Sequence, residues 1–247
     1  MRQIKRCTSC TNCARSVFSE LGRDALQLIE RGTSANIYRA GNAIFYQGNP
    51  PAGIYCVGSG AVALRKRDAS SGRDVIVRLR TAGDVLGQRA YFAGEPYDAT
   101  AEALTDTSVC FIGAAAIEAA LSREPKLARR LLERLAGDVS QADAQKLAGR
   151  TLDTRARIAR LLLELRHRFG TVDDHGVLVI ELPLSRQDIA AIVGSRPETV
   201  TRCLRSLETD GIAELSGRRV SVPDLDRLFD LVEPDTPDDD VWSRSAG

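Results

Sequence analysis

The sequence predicts an α+β fold: a β-barrel of jelly-roll type, then a long helix, then a winged helix-turn-helix. Three observations carry this prediction. Short apolar runs alternate with glycines from about Asn36 to Ile112. After Glu124-Pro125, leucines recur at helical spacing. Beyond Leu184, two short helical segments break at Gly194 and are followed by a hairpin with a basic tip.

The chain has 247 residues, 43% of them hydrophobic, which suits two domains of ordinary size. No run approaches the roughly 18 consecutive apolar residues that span a bilayer, and the start Met1-Arg2-Gln3-Ile4-Lys5-Arg6 leads into no apolar segment. The expectation is a cytoplasmic protein with no membrane partner. Formal net charge is +1, but it is unevenly spread. Arg150 to Arg219 holds 12 arginines against 10 acidic residues, whereas Val220 to Gly247 holds 8 acidic residues against 2 arginines. An acidic tail thus follows a mildly basic module. The expected division is a cysteine-rich segment 1–17, a β-barrel domain 18–122, a long helix 123–150, a winged helix-turn-helix domain 151–232 and a disordered acidic tail 233–247, whose proline- and aspartate-rich end is too poor in apolar residues to fold.

In the barrel, the predicted strands are Ala43 to Tyr46, Ile54 to Val57, Ala61 to Leu64, Val75 to Leu79 and Ser108 to Ile112. Glycines such as Gly41, Gly48, Gly60 and Gly83 supply the turns between them. Short, evenly spaced strands imply a closed roll.

In the long helix, Leu127, Leu131, Leu135, Val139 and Ala142 recur at intervals of four and three, a narrow seam with charged flanks at Arg129, Arg130, Glu133 and Arg134. Such a stripe suits a partner helix, and these residues are the expected homodimer interface. A second helix, Thr154 to Phe169, stops at Gly170 and is followed by a β segment, Val177 to Leu182.

The next stretch carries the most information. Ser185 is placed to cap a helix that ends at Gly194; Ser195 and Glu198 have the spacing of a second capping box, with Pro197 in the first turn. Val200, Leu204 and Leu207 form a buried stripe on the second helix, which puts Glu198, Thr201, Arg202 and Arg205 on the opposite face. Arg can donate twice to guanine, Glu can accept from cytosine and Thr can touch a thymine methyl, so that face suits a major groove of double-stranded DNA. In the hairpin that follows, Arg218 and Arg219 are placed to meet phosphate as a wing.

Six cysteines remain. Cys7, Cys10 and Cys13 crowd the first residues; Cys56, Cys110 and Cys203 stand singly. A tight cluster in a reducing compartment reads as an iron–sulfur site, a zinc site or a thiol switch. The single cysteines have apolar neighbours and fit an ordinary core equally well. Both histidines, His167 and His175, lie beyond the long helix, so the barrel offers no imidazole and histidine-ligated haem is not expected. No nucleophile–base pair or phosphate-binding glycine loop is present, which argues against an enzyme. A ferredoxin-like redox protein is the rival of another class, and the helix-turn-helix and wing oppose it.

From Phe18 to Leu228 the sequence resembles the family of the cyclic-AMP receptor protein and the fumarate-nitrate reduction regulator. The matching features are the glycine-punctuated barrel, Gly83-Asp84-Val85-Leu86-Gly87, the long helix, and Glu198-Thr199-Val200-Thr201-Arg202. The resemblance implies a dimeric transcription regulator that binds a palindromic site and works with RNA polymerase, with Glu198, Thr201 and Arg202 reading each half-site. Pro197 replaces a base-contacting arginine of the cyclic-AMP branch, which suggests half-sites of the TTGAT type. The family holds its cyclic phosphate with an Arg-Ser pair and the ribose with a Glu, places that here align with Tyr97, Asp98 and Gln88. An anion there would meet Asp98 and no cation, which argues against cyclic AMP as effector. The oxygen-sensing branch implies an iron–sulfur cluster, of the 4Fe–4S type, with Cys7, Cys10 and Cys13 joined by Cys110 of the last barrel strand. The third cysteine of that branch usually lies further from the second than Cys13 does from Cys10. A small-molecule effector, zinc or thiol oxidation remains the alternative signal.

Overall fold

A computed structural model describes residues 16–68, 70 and 72–233; Cys7, Cys10, Cys13 and the acidic tail from Pro234 lie outside the described residues. The chain forms two compact units, Met1–Lys146 and Leu147–Gly247.

The first unit runs α1 (Arg23–Arg31), β1 (Thr33–Tyr38), β2 (Ala43–Phe45), β3 (Gly53–Ser59), β4 (Ala61–Arg67), β5 (Asp74–Thr81), β6 (Val85–Leu86), α2 (Gln88–Ala93), β7 (Thr100–Ala103), β8 (Thr107–Gly113), α3 (Ala114–Arg123) and most of α4 (Pro125–Thr151). Its strands form two antiparallel four-stranded sheets, ordered β1-β8-β3-β6 and β2-β7-β4-β5. Alternation along each strand creates two cores. Val57, Val62, Leu86, Ala101 and Val109 fill one core with Phe45 and Tyr97. The other face of the first sheet presents Ile54, Val85 and Ile112 to Phe18, Leu21, Ala25, Ile29, Ile117 and Ala120.

That second core corrects the expected dimer seam. Leu127 and Leu131 belong to it and are only 1% and 3% exposed. Leu132 and Val139, by contrast, are 65% and 62% exposed. The N-terminal turns of α4 must cover their own barrel, so the leucines nearest Pro125 are used there. An apolar stripe at 3.5-residue spacing remains, and it runs Leu132, Leu135, Val139, Ala142.

α4 is also tied to the barrel by charge. Arg80 Nη2 lies 2.6 Å from Asp138 Oδ2, and Arg78 Nη2 donates to the Asp138 carbonyl at 2.6 Å. Arg134 pairs with Asp84, which also accepts from the Thr81 amide at 2.8 Å. Burial pushes the Arg80 guanidinium below its ordinary value, and Asp138 opposes that shift.

The second unit runs α5 (Thr154–Phe169), β9 (Gly170–Val172), β10 (Leu178–Glu181), α6 (Arg186–Val193), α7 (Pro197–Thr209), β11 (Glu214–Ser216), β12 (Arg219–Val222) and α8 (Leu225–Asp230). Its sheet is ordered β11-β12-β10-β9. Asp153 caps α5 by accepting from the Ala156 amide. No helix among the described residues is long and apolar enough to cross a membrane.

Candidate nucleic-acid interface and sensory site

The helix-turn-helix begins at Ser185, whose hydroxyl accepts from the Asp188 amide at 3.2 Å while Asp188 accepts from the Ser185 amide at 2.8 Å. This reciprocal box starts α6, and Gly194, with φ of 65°, ends it. The second box expected at Ser195 does not form. The Ser195 amide donates back to the Ala190 carbonyl, which makes Ser195 part of the close of α6. Arg196 is the N-cap of α7 instead, with extended backbone and no side-chain cap, and Pro197 occupies the first turn.

Val200, Leu204 and Leu207 are buried, as their spacing predicts. Glu198, Arg202 and Arg205 are exposed and Thr201 is half-buried, its hydroxyl donating to the Pro197 carbonyl at 2.9 Å. These four positions share one side of α7, since residues three and four apart are neighbours on a helix. Arg155 of α5 fixes the far end of α7, bonding Ser206 Oγ at 3.0 Å and Asp210 Oδ2 at 2.5 Å.

In the hairpin, Ser216 pairs with Arg219 across a turn at Gly217, whose φ is 62°. Arg218 and Arg219 are exposed there. The second unit therefore combines a helix with one polar, arginine-bearing face and a cationic hairpin tip.

In the barrel, Tyr97 stacks on Phe45 with ring centroids 3.9 Å apart, and Phe45 in turn meets Tyr55 at 5.3 Å. Gln88 is buried and donates to Asp138 Oδ2 at 3.4 Å. Asp98 corrects the electrostatic expectation, because it is paired with Lys66 at 2.6 Å and Arg89 at 3.2 Å. Burial raises the Asp98 carboxyl, but these two cations together hold it below its ordinary value. Two cations thus stand where sequence reasoning expects none; they come from β4 and α2, elements that only the fold brings to Asp98.

Of the expected thiolates, Cys110 alone is described. It sits in β8, half-buried, between Ala35 of β1 and Cys56 of β3. Cys56 packs against the core that includes Ile54, Val85 and Phe18, which places both cysteines on the outer face of the sheet. Sequence reasoning treats Cys56 as an ordinary strand residue, since antiparallel register cannot be read from one strand. Among the described residues no group of three or more His, Cys, Asp or Glu could hold a metal ion.

Comparison with known proteins agrees with this anatomy. The family model of the Crp-like helix-turn-helix domain matches residues 156–231, and that of the cyclic nucleotide-binding domain matches residues 36–124. The CRP-like cAMP-activated global transcriptional regulator of Mycobacterium tuberculosis is 26% identical over 212 residues, 86% of this chain and 94% of that protein. The transcriptional activator protein FnrL of Cereibacter sphaeroides is 27% identical over 237 residues, 94% of each. The solved structure of FixK2 from Bradyrhizobium japonicum superposes with a TM-score of 0.73 at 32% identity, covering 81% of this chain and 96% of that one.

Proposed function

The chain belongs to the CRP/FNR family of transcription regulators, and from that premise we propose that it is a dimeric, sequence-specific regulator whose DNA binding responds to redox state or oxygen. The observation that carries the DNA assignment is α7, with Glu198, Thr201, Arg202 and Arg205 on one side and the buried stripe on the other. Arg202 reads guanine by a bidentate pair, Glu198 accepts from cytosine, and the wing arginines Arg218 and Arg219 hold the backbone. Pro197 in the first turn of α7 favours half-sites of the TTGAT type. Leu132, Leu135, Val139 and Ala142 of α4 form the dimer seam, and a two-fold dimer calls for a palindrome. RNA polymerase is the partner in transcription, and the cytoplasm is the compartment.

For sensing, Cys7, Cys10, Cys13 and Cys110 hold an iron–sulfur cluster. Such a cluster supplies electron transfer and lability toward oxygen when bound. Four thiolates match its usual donor set, and Cys110 is half-buried on the sheet face against which Phe18 packs. Three peptide links separate Cys13 from Ser16, a reach of about 11 Å at most, so the cysteine segment leads directly into the chain that packs Phe18 on this face.

The test is a visible spectrum with iron, sulfide and zinc analysis on protein purified under nitrogen, repeated in air, beside anisotropy of a labelled TTGAT palindrome. A broad band that bleaches in air, and is missing in Cys110→Ala, is the expected result. Colourless, iron-free protein that still binds the palindrome overturns the cluster and moves sensing to zinc, thiol chemistry or an effector in the barrel.

A further inference from the structure

We propose that Cys56 and Cys110 form a reversible disulfide across β3 and β8, a thiol redox site of the barrel distinct from the N-terminal cysteines. The two residues are direct partners in the antiparallel ladder, within the run Ile54↔Ile112, Tyr55↔Phe111, Cys56↔Cys110, Val57↔Val109. Opposed residues of an antiparallel pair point to the same face and have Cα atoms about 4.5 or 5.5 Å apart, depending on the hydrogen-bonding pattern. Both Cα distances lie in the window of roughly 4.4–6.8 Å that a disulfide spans, and the Cβ atoms, about 4.5–5.5 Å apart across such a pair, must close to about 3.5–4.5 Å for the sulfurs to bond.

The surroundings favour reaction. Tyr55 and Phe111, one step along, meet ring to ring at 5.0 Å, which fixes the register of the two strands. Cys56 and Cys110 are both half-buried, so neither residue is sealed in the core, and the strands hold them side by side. Val85 of β6 flanks Cys56, and Ala35 of β1 flanks Cys110. Neither carries a side chain large enough to wedge between the sulfurs.

The oxidant is a peroxide. One thiolate attacks the peroxide oxygen, becomes a sulfenic acid and releases water or an alcohol; the second thiolate attacks that sulfur and expels hydroxide, which leaves as water. Two thiols and one hydrogen peroxide give one disulfide and two waters. A small dithiol returns both thiols by exchange. Resting on the cluster reading above, the disulfide and the cluster are mutually exclusive, because the Cys110 sulfur bonds either to sulfur or to iron. Cys56 would then capture Cys110 whenever the cluster is lost under oxidising conditions.

The experiment uses the full chain with Cys7, Cys10 and Cys13 replaced by Ser, folding being checked by circular dichroism. It is treated with hydrogen peroxide, alkylated, and digested without reductant for mass spectrometry. The expected product is a Cys56–Cys110 linked peptide, lighter by two hydrogens, released by dithiothreitol, with Cys203 still alkylated. Separate recovery of the two cysteines, alkylated or as sulfinic acids, overturns the proposal; if the triple variant is unfolded, the same digest of cluster-free wild-type protein distinguishes the same two outcomes. A second arm separates the disulfide from the cluster. Peroxide-treated wild-type protein should fail to regain iron–sulfur colour from ferrous iron and sulfide until dithiothreitol is added, whereas Cys56→Ser should lose that dependence. A linked peptide with unimpaired reconstitution upholds the disulfide and removes Cys110 from the ligand set.

Discussion

The two faces of α4 can be separated by paired substitutions. Leu127 is 1% exposed in the barrel's helical core, so Leu127→Ala leaves a cavity and should cost about 3 kcal/mol within a range of roughly 2–5. In a chain of this size that lowers Tm by roughly 6–12 °C, at about 2–4 °C per kcal/mol. Leu132 is 65% exposed, and its truncation should leave the isolated barrel unchanged within about 0.5 kcal/mol. In a two-fold interface the same change is made twice. Burying the exposed part of a leucine is worth about 1–2 kcal/mol, so Leu132→Ala should weaken the dimer by about 2–4 kcal/mol, or roughly 30- to 700-fold in Kd. Sedimentation equilibrium measures the dimer, and thermal melts at one fixed protein concentration measure the fold. The reasoning is refuted if Leu127→Ala dissociates the dimer at unchanged Tm, or if Leu132→Ala leaves sedimentation untouched.

Other expectations follow from the same structure. Arg202→Ala should cost about 1–3 kcal/mol per half-site and relax discrimination at one base position, whereas Arg218→Ala should weaken all sequences alike and reduce the salt slope by about one; anisotropy across a salt series tells them apart. Asp138→Ala strands the Arg80 guanidinium, whose side chain is 4% exposed, and should lower stability by about 3–5 kcal/mol in urea titration. Asp98 is held below its ordinary carboxylate value, so its contribution to stability is present above that ordinary value and lost as pH falls through the depressed one. The pair is 42–43% exposed, which limits the effect to about 1 kcal/mol or less. Lys66→Met should therefore flatten the acid limb of a plot of stability against pH, and an unchanged limb would show that Lys66 does not depress Asp98.

Legibility in the sequence follows local signal. The buried stripe of α7 and the turn at Gly217 announce themselves by spacing and by backbone demands within a few residues. Strands rich in Val and Ile are visible; β7, with the sequence Thr-Ala-Glu-Ala, is not, because its alanines are buried by packing rather than marked by hydropathy. β1 escapes notice for the opposite reason, as a half-polar strand at the sheet edge. The exposed stripe of α4 is displaced from the expected one because a heptad pattern cannot say which of two adjacent leucine rows a domain will claim for itself. Long-range pairs such as Cys56 with Cys110, Arg80 with Asp138 and Asp98 with Lys66 depend on register and topology, which one sequence does not encode locally.

The same core that displaces the exposed stripe links the outer sheet face to the long helix. Phe18, Val85, Ile112, Leu127 and Leu131 are members of one cluster, with Val17 and Cys56 packed against it. Close-packed interiors transmit strain, so a change in how the chain near Phe18 lies on the sheet is felt by its neighbours in the cluster. Those neighbours include Leu127 and Leu131, which stand on the same helix as the exposed Leu132 and Val139. The Arg134–Asp84 and Arg80–Asp138 pairs anchor α4 to the barrel about one and two turns beyond Leu131. Cys56, the partner of Cys110 across β3 and β8, is thus joined to Leu127 and Leu131 of α4 by contiguous packing, and the ion pairs add a second tie between barrel and helix.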